Sequence, residues 1–448
     1  MSVKRQRATG RTAGGRTAGV RAAGTRAAGA LAAAVCAAAL LPGTAWAAGE
    51  GGGYAFEEGA QRVKGAVSNL DAEQLEPGRT YRDTIKKDGK LYYRVDLDTK
   101  QNAYVSVVAV PKAGGKAAYG DGIKVSMQDG SSAECGSQDA NFGSAEFPRP
   151  ITAYADRTID PDSTTCRQAG AYYVLVERES GQESDPADWE LEIRFRTEPG
   201  LKKAGPTALP SNWPSGTPAP PAGGPQRRDG GAGFGDATSL KQGEWRTDIR
   251  PGQTLVYRVP VDWSQQLFVT AELGSSPVSD EYISGALALS LENQVLGHVS
   301  RDTMTYDGDP ATMALDPERP VAYENRFAGD DSTSAMRFAG WYYVSATLNP
   351  AVAKEYGDKP LPLTLRVNVT GQPTSPPAYD GPAGSFGVTD DDRDAAASGH
   401  SGPQAARSGN LKVVGVAGIG AGSVLLLGLG AWWLLARRSA AGAGPTPG

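Results

Sequence analysis

The chain has 448 residues, of which 58 are glycine, 31 are proline and only 21% are charged. This length allows two or three domains, but so much glycine and proline indicates long stretches that do not belong to a hydrophobic core. Three cysteines and two histidines leave few residues for a metal centre or a nucleophile, and the net charge of −5 disfavours a nucleic-acid partner.

The first 47 residues, 1–47, have the organisation of a secretory signal peptide. Basic residues without acidic ones begin the chain, an apolar run follows at 30–43, and Ala45-Trp46-Ala47 supplies the small residues of a cleavage site. We expect cleavage after Ala47 and export of the remaining chain. Without the seven basic residues of the leader, 38 basic residues stand against 50 acidic ones, so the exported part is acidic.

A short segment, 48–70, precedes an internal repeat whose two copies are predicted at 71–198 and 236–370. The phrase RQAGAYYV in the first copy recurs as RFAGWYYV in the second, and LYYRVDLD recurs as LVYRVPVD. The offset between matching phrases changes gradually along the chain, as loops of different length in two copies of one domain would cause. The sequence therefore predicts a duplicated domain.

Both copies show alternation of apolar and polar residues. Leu91, Tyr93 and Val95 alternate with polar or exposed neighbours, and 255–261 repeats the pattern in the second copy. A period of two predicts half-buried strands, and clusters of glycine, aspartate and proline separate these strand-length runs. We therefore expect a mainly β chain with two tandem antiparallel β-sandwich domains of jelly-roll type.

These motifs resemble the bacterial pre-peptidase C-terminal domain. The resemblance rests on the Leu-x-x-Gly opening at 75–78, the YYRVDL strand and the Ala-Gly-x-Tyr-Tyr-Val phrase, and it covers 71–197 and 236–370. It implies a small jelly-roll-like sandwich that serves as a non-catalytic module beside secreted proteases or binds polysaccharide or other polymers. No peptidase domain accompanies the copies, so such a role would serve another molecule.

Removal of the leader would leave two cysteines, Cys135 and Cys166, both in the first copy. Disulfides persist in exported proteins, so we predict that these two residues form one. The second copy has Met336 at the place of Cys166, which indicates that the fold itself does not require the bridge.

Two tracts rich in proline and glycine flank the second copy. Residues 199–235 read as a flexible linker between the copies, because they contain too few apolar residues to fold. Residues 371–412 read as a disordered stalk that connects the second copy to a membrane.

Residues 413–436 form an uncharged run of a length that crosses a bilayer as one helix. Trp432 and Trp433 lie near its end and Arg437-Arg438 follow, which predicts an extracellular N-terminal side and a cytoplasmic tail at 437–448. The predicted location is therefore the cell membrane, with a single span.

Candidates for chemistry are sparse, and we predict no catalytic residue, no cofactor and no metal site. His298 lies in a strand-like region and His400 in the stalk, so neither has an evident nucleophile beside it. The acidic loops at 307–309 and 330–331 lack a full calcium-ligand pattern. Paired carboxylates of a glycosidase are not recognisable from sequence alone.

The combined features favour a non-catalytic surface protein that binds an envelope polymer or a protein partner. The alternatives are a structural subunit of a membrane complex and, third, an unrecognised carbohydrate-active enzyme. A binding surface would be built from exposed aromatic residues on one face, and the candidates are Tyr172, Tyr173, Trp341 and Tyr343. The competing interpretation is that these rings are core residues.

Overall fold

The computed structural model describes residues 53–159, 164–276, 281–407 and 429–433, and it is mainly β. Ten strands form module one: β1 Gln61–Arg62, β2 Glu73–Gln74, β3 Thr80–Ile85, β4 Lys90–Leu97, β5 Asn102–Val110, β6 Gly122–Gln128, β7 Glu134–Asn141, β8 Ile151–Arg157, β9 Gly170–Glu179 and β10 Trp189–Glu198. Ten more form module two: β11 Pro225–Arg227, β12 Thr238–Ser239, β13 Gly243–Ile249, β14 Thr254–Val261, β15 Gln266–Leu273, β16 Ile283–Glu292, β17 His298–Tyr306, β18 Ala311–Ala314, β19 Gly340–Leu348 and β20 Leu361–Thr370.

Each module contains two five-stranded sheets with the same strand order. Sheet I is β1-β3-β10-β5-β8 and sheet II is β2-β4-β9-β6-β7; sheet III is β11-β13-β20-β15-β18 and sheet IV is β12-β14-β19-β16-β17. Only the edge strands β1, β2, β11 and β12, which have two or three residues each, pair in parallel, and all other pairs are antiparallel. The predictions of a mainly β chain and of two similar units are confirmed.

Helices are short and lie in the connections. The α-helices are α1 Asp331–Ala335, α2 Val352–Tyr356 and α3 Asp390–Ser398, and 3-10 turns occupy Asn69–Asp71 and Tyr323–Phe327.

The core of each module is filled by the inward face of both its sheets. Tyr93 and Ile193 are fully buried in module one, and Tyr257 and Leu365 occupy the same places in module two. These positions belong to the alternating apolar and polar runs of the sequence. The period of two in those runs therefore predicted both the strands and the residues that point into the core. Removing such side chains from water supplies the main stabilisation of each sandwich.

The repeated Ala-Gly-x-Tyr-Tyr-Val phrase forms the same corner in both modules. The Tyr172 hydroxyl donates to the carbonyl of Gln168 at 2.7 Å, and the Tyr342 hydroxyl donates to the carbonyl of Phe338 at 2.8 Å. Each tyrosine thus ties the start of a central strand to the loop before it, as the tyrosine corner of other sandwiches does. Gly340 has a φ of 137°, a conformation that side chains disfavour, which explains the glycine of the phrase.

The two modules pack against each other through the outer faces of sheets I and IV. One apolar cluster joins Val108 of β5 to Val256 of β14 and Tyr343 of β19. A second joins Tyr104 of β5 to Phe338 of the loop before β19. The modules therefore share a buried interface, which the alternating pattern did not predict.

Parts of the segment 199–235, predicted as a flexible linker, lie against module two. Residues 225–227 form β11 on the edge of sheet III. The amide of Gln266 donates to the carbonyl of Pro214 at 2.9 Å, and Arg319 donates to the carbonyl of Pro210 at 3.0 Å. The surface of module two thus satisfies these two carbonyl groups and the backbone of 225–227.

The interpretation of 371–412 as a disordered stalk is wrong as far as 407. Tyr379 and Phe386 are buried, Phe386 packs with Tyr104 between the modules, and α3 lies along β12 and β14. We call residues 371–407 the strap. Its aromatic residues supply the burial that its overall composition does not suggest.

Residues 53–58 also lie against the interface between the modules. The backbone N–H of Ala55 donates to the carbonyl of Ala232 at 3.1 Å, and that of Glu57 donates to the Glu192 carboxylate at 2.8 Å. The predicted N-terminal segment therefore joins the two modules as the strap does.

The signal peptide predicted at 1–47 lies outside the described residues. Residues 429–433 are helical, and the rest of the span predicted at 413–436, like the tail at 437–448, also lies outside them. Among the described helices, none is both long and apolar enough to cross a membrane.

The predicted disulfide is confirmed. Cys135 of β7 and Cys166 of the loop before β9 are bonded, with Cα atoms 5.7 Å apart and a sequence separation of 31. The bridge ties the long β8–β9 connection to the edge of sheet II.

Replacing Cys135 and Cys166 by serine should lower the free energy of unfolding by about 3–4 kcal/mol, because the unfolded chain regains the entropy of an open loop. Urea denaturation of the full chain would measure the change. The control is reductant, which should destabilise the wild type by a similar amount and leave the double variant unchanged. Two free thiols in the unreduced protein would contradict the prediction.

Candidate functional site

The four candidate aromatic residues do not form one exposed platform, so that prediction is wrong. Tyr172, 2% exposed, belongs to the core of module one. Tyr343, 8% exposed, packs in the interface between the modules, and Trp341 donates its indole N–H to Asp392 of the strap at 3.0 Å. Only Tyr173 is on the outer face of sheet II, and it is half-buried.

A cleft of about 1010 Å³ lies where the two modules meet. Module one contributes the turn at 98–102 and the end of β8, and module two contributes Arg337 and the 3-10 turn Tyr323–Phe327. The linker at 199–207 and the strap at 380–384 complete the walls. Ligand sites commonly occur at such domain boundaries, and this cleft is the candidate site.

Beside this cleft the two modules and the strap are joined by one buried carboxylate. Glu198 is fully buried and forms an ion pair with Arg326 of module two at 2.9 Å. Tyr379 of the strap donates to the same carboxylate at 2.9 Å, and Tyr104 and Asn102 of module one donate at 2.9 and 2.8 Å.

Burial alone would raise the pKa of the Glu198 carboxyl, because it disfavours the charged form. The charge of Arg326 and the hydrogen bonds from Arg326, Asn102 and Tyr379 outweigh burial, and the pKa is lowered. Glu198 is therefore an anion within the interface, and each of its partners is held in place by it.

A second arginine of the cleft, Arg337, crosses from module two to β8. It donates to the Tyr154 hydroxyl at 2.7 Å and lies 3.8 Å from the Asp156 carboxylate. Its Nε has no hydrogen-bond partner among the described residues although it is buried. The Arg337 guanidinium therefore joins module two to β8 beside the cleft.

The mouth of the cleft combines an exposed ring with polar side chains. Phe327 is 41% exposed at the end of the 3-10 turn, and Lys100 and Gln101 are exposed across from it on the β4–β5 turn. An apolar ring beside amide, ammonium and carboxylate groups suits a ligand with both hydrogen-bonding groups and apolar faces. Sugars and extended peptide segments have this character.

Histidines and metal ligands do not converge in the described part of the chain. Burial, with the nearby charge of Arg301, lowers the pKa of His298 to about 4, so its imidazole is neutral. His400 is on the strap, and its carbonyl accepts from the Ser239 hydroxyl. Within the described ranges no three His, Cys, Asp or Glu side chains form a metal-binding group.

One interface carboxyl lacks a cation. Glu292 of β16 is 4% exposed, and its Oε1 accepts from the Ser290 hydroxyl while its Oε2 has no partner among the described residues. Burial raises the pKa of Glu292 to about 8, and the Ser290 hydrogen bond opposes the shift. The carboxyl is therefore protonated at neutral pH.

Comparisons with known proteins do not assign a family. No family model matches the chain, and no curated protein matches it. Similar solved structures include tripeptidyl peptidase 2, at 8% identity and a TM-score of 0.20 over 66% of this chain and 24% of that one. The chain thus spans about a quarter of that protein.

Another similar structure is the tandem CBM22 domain of Paenibacillus barcinonensis Xyn10C, at 11% identity and a TM-score of 0.18 over 72% of this chain and 94% of that one. A third is the mycobacterial arabinofuranosyltransferase AftD, at 10% identity and a TM-score of 0.15 over 71% and 35%. Scores this low identify neither the fold nor the function of the chain.

Replacing Glu292 by glutamine should stabilise the protein increasingly as the pH rises. Between pH 4.5 and about 8 the folded state holds a proton that the unfolded state has lost, so stability falls with rising pH. Relative to the wild type, we expect the variant to gain on the order of 2–4 kcal/mol of unfolding free energy between pH 5 and pH 8.

Denaturation curves at a series of pH values would measure this difference. The exposed Glu355 of α2 gives the matched control, since Glu355→Gln removes the same charge from the surface. A constant difference between the Glu292→Gln variant and the wild type from pH 5 to pH 8 would show that the carboxyl has an ordinary pKa.

Proposed function

We propose that the protein is a non-catalytic binding and assembly protein of the cell surface, in which the two modules act as one unit. The observation that supports this function best is the cleft, because its walls come from both modules, the linker and the strap. A ligand in the cleft would contact all four parts at once. Neither module alone retains the complete site.

This arrangement replaces the simplest account of the duplication, which is avidity from two independent binding modules on a flexible linker. Modules that share a buried interface do not move independently, so the tandem offers one composite site. The resemblance to pre-peptidase C-terminal domains stays a prediction, and the polymer-binding role that it implies agrees with the polar walls and aromatic rim of the cleft.

We place the described modules outside the cell, on the basis of the signal peptide at 1–47 and the membrane span at 413–436. The partner is then an envelope polymer or an extended segment of another surface protein. The acidic net charge of the exported chain continues to disfavour nucleic acid.

A structural subunit of a membrane complex is the second candidate function. Val67 and Leu70 favour it, because they are 87% and 90% exposed and lie three residues apart around the first 3-10 turn. Large apolar side chains that are exposed close together in the sequence are typical of a surface that another protein covers.

Truncation of the ring at the mouth of the cleft tests the proposed binding role. With isolated cell-wall material as the probe, Phe327→Ala should weaken sedimentation of the full-length protein about tenfold, the equivalent of roughly 1.4 kcal/mol for a contact aromatic. Tyr282→Ala is the control, since Tyr282 is exposed outside the cleft. Equal binding by both variants and the wild type would contradict a role of the cleft.

External trypsin on intact cells tests the location. We expect one released particle that retains both modules, because cleavage of the linker leaves the buried interface and the Glu198–Arg326 ion pair in place. Native gel electrophoresis of the supernatant would show it, with a cytosolic protein as the control for sealed membranes. Complete protection of both modules on sealed cells would contradict the extracellular location.

A further inference from the structure

A smaller cavity of about 260 Å³ lies at another part of the interface between the modules. Module one contributes Tyr119 and Arg149, and module two contributes Ser290, Arg301 and Thr303 from β16 and β17. Tyr119 is 63% exposed, so the cavity is open to solvent on this side. The two arginines come from different modules and meet only because the modules pack.

Neither arginine has a carboxylate partner among the described residues. Arg149 donates to the carbonyls of Ala145 and Phe142 at 2.7 and 2.8 Å. Arg301 donates to the carbonyl of Asn141 at 3.0 Å and to its side-chain oxygen at 3.4 Å. Every acceptor of these two guanidinium groups is thus a neutral oxygen.

The arginines of the large cleft differ in this respect. Arg326 is neutralised by Glu198, and Arg337 lies near Asp156. In the small cavity the acidic lining residue is Asp302, which directly follows Arg301 in β17. Consecutive strand residues point to opposite faces of a sheet, and the Asp302 carboxylate accepts the backbone N–H of Thr303 at 2.7 Å.

Two cations held close together without a counterion repel each other. Burial and the charge of Arg301 together lower the pKa of Arg149 to about 10. Two threonines, Thr303 and Thr347, line the same cavity, whereas the hydroxyls of Ser290 and Ser345 are engaged with Glu292 and with each other. Guanidinium groups supplemented by hydroxyl donors are the groups with which proteins hold phosphate.

We propose that this cavity binds an oxyanion of the phosphate class, with Arg149 and Arg301 as the charged donors and the hydroxyls of Thr303 and Thr347 as neutral donors. The anion neutralises the pair and connects module one to module two. The exposed side at Tyr119 admits a phosphate that is attached to a larger molecule. The site is separate from the large cleft, so an experiment can disprove binding at one of them without disproving binding at the other.

Arg301→Gln is the informative variant. Arg149 also holds the carbonyls of the loop before β8, so its loss would disturb folding, whereas Arg301 is exposed on the edge strand β17. Arg250→Gln is the matched control, because it removes an exposed arginine from the β13–β14 turn of the same module.

The experiment is calorimetric titration of the detergent-solubilised full chain with inorganic phosphate, at constant pH and ionic strength set with sodium chloride. We expect saturable binding that Arg301→Gln weakens at least tenfold and that Arg250→Gln leaves unchanged. Thermal melts of each variant without phosphate verify that it is folded. No saturable binding to the wild type, or equal binding by both variants, would overturn the proposal.

A second titration with dimethyl phosphate distinguishes the source of the anion. Binding of both probes would indicate the phosphodiester groups of a polymer backbone, since a diester keeps only two unsubstituted oxygens. Binding of inorganic phosphate alone would indicate free phosphate or a terminal phosphate group. In either case the binding must depend on Arg301, and binding that Arg301→Gln does not weaken overturns the assignment.

Discussion

The burial of the Glu198 carboxylate is the constraint on which the assembled structure depends. A buried charge is tolerated only when it is paired and hydrogen-bonded, and removing one partner typically costs about 3–5 kcal/mol. Its partners come from module one (Asn102 and Tyr104), module two (Arg326) and the strap (Tyr379). The same carboxylate therefore links the packing of the modules to the position of the strap, and the cleft lies beside this junction.

The two modules have the same strand order but differ in the residues on the outer faces of their sheets. This difference explains why the contact between the modules is not repeated on the outer face of sheet III. Val108 on the covered face of sheet I corresponds by strand register to Glu272 on sheet III. Arg366 pairs with Glu272 at 2.6 Å and with Glu244 at 3.7 Å, so that face is charged and solvated. A third module would find no apolar surface there on which to pack.

Alternation in the sequence predicted the strands, the inward residues and the duplication, because burial on one face imposes a period of two. The same rule argues against an exposed platform that includes both Tyr172 and Tyr173, since consecutive strand residues face opposite ways. The interface was not predictable, because the pattern shows which side chains point outward and not what covers them. The packing of the strap was likewise not predictable from composition, because it depends on two buried aromatic residues among many glycines and prolines.

The strap also determines how the molecule responds to force. Its contacts follow one another along the segment: the Thr238–Ser401 bridge, then Arg393 with Asp262, then Tyr379 with Glu198. A pull on residue 407 would therefore load these contacts one after another, before the strand pairs of sheets I to IV. Tension at residue 407 would thus separate the strap and uncover Trp341 before it reached the strands of either sandwich.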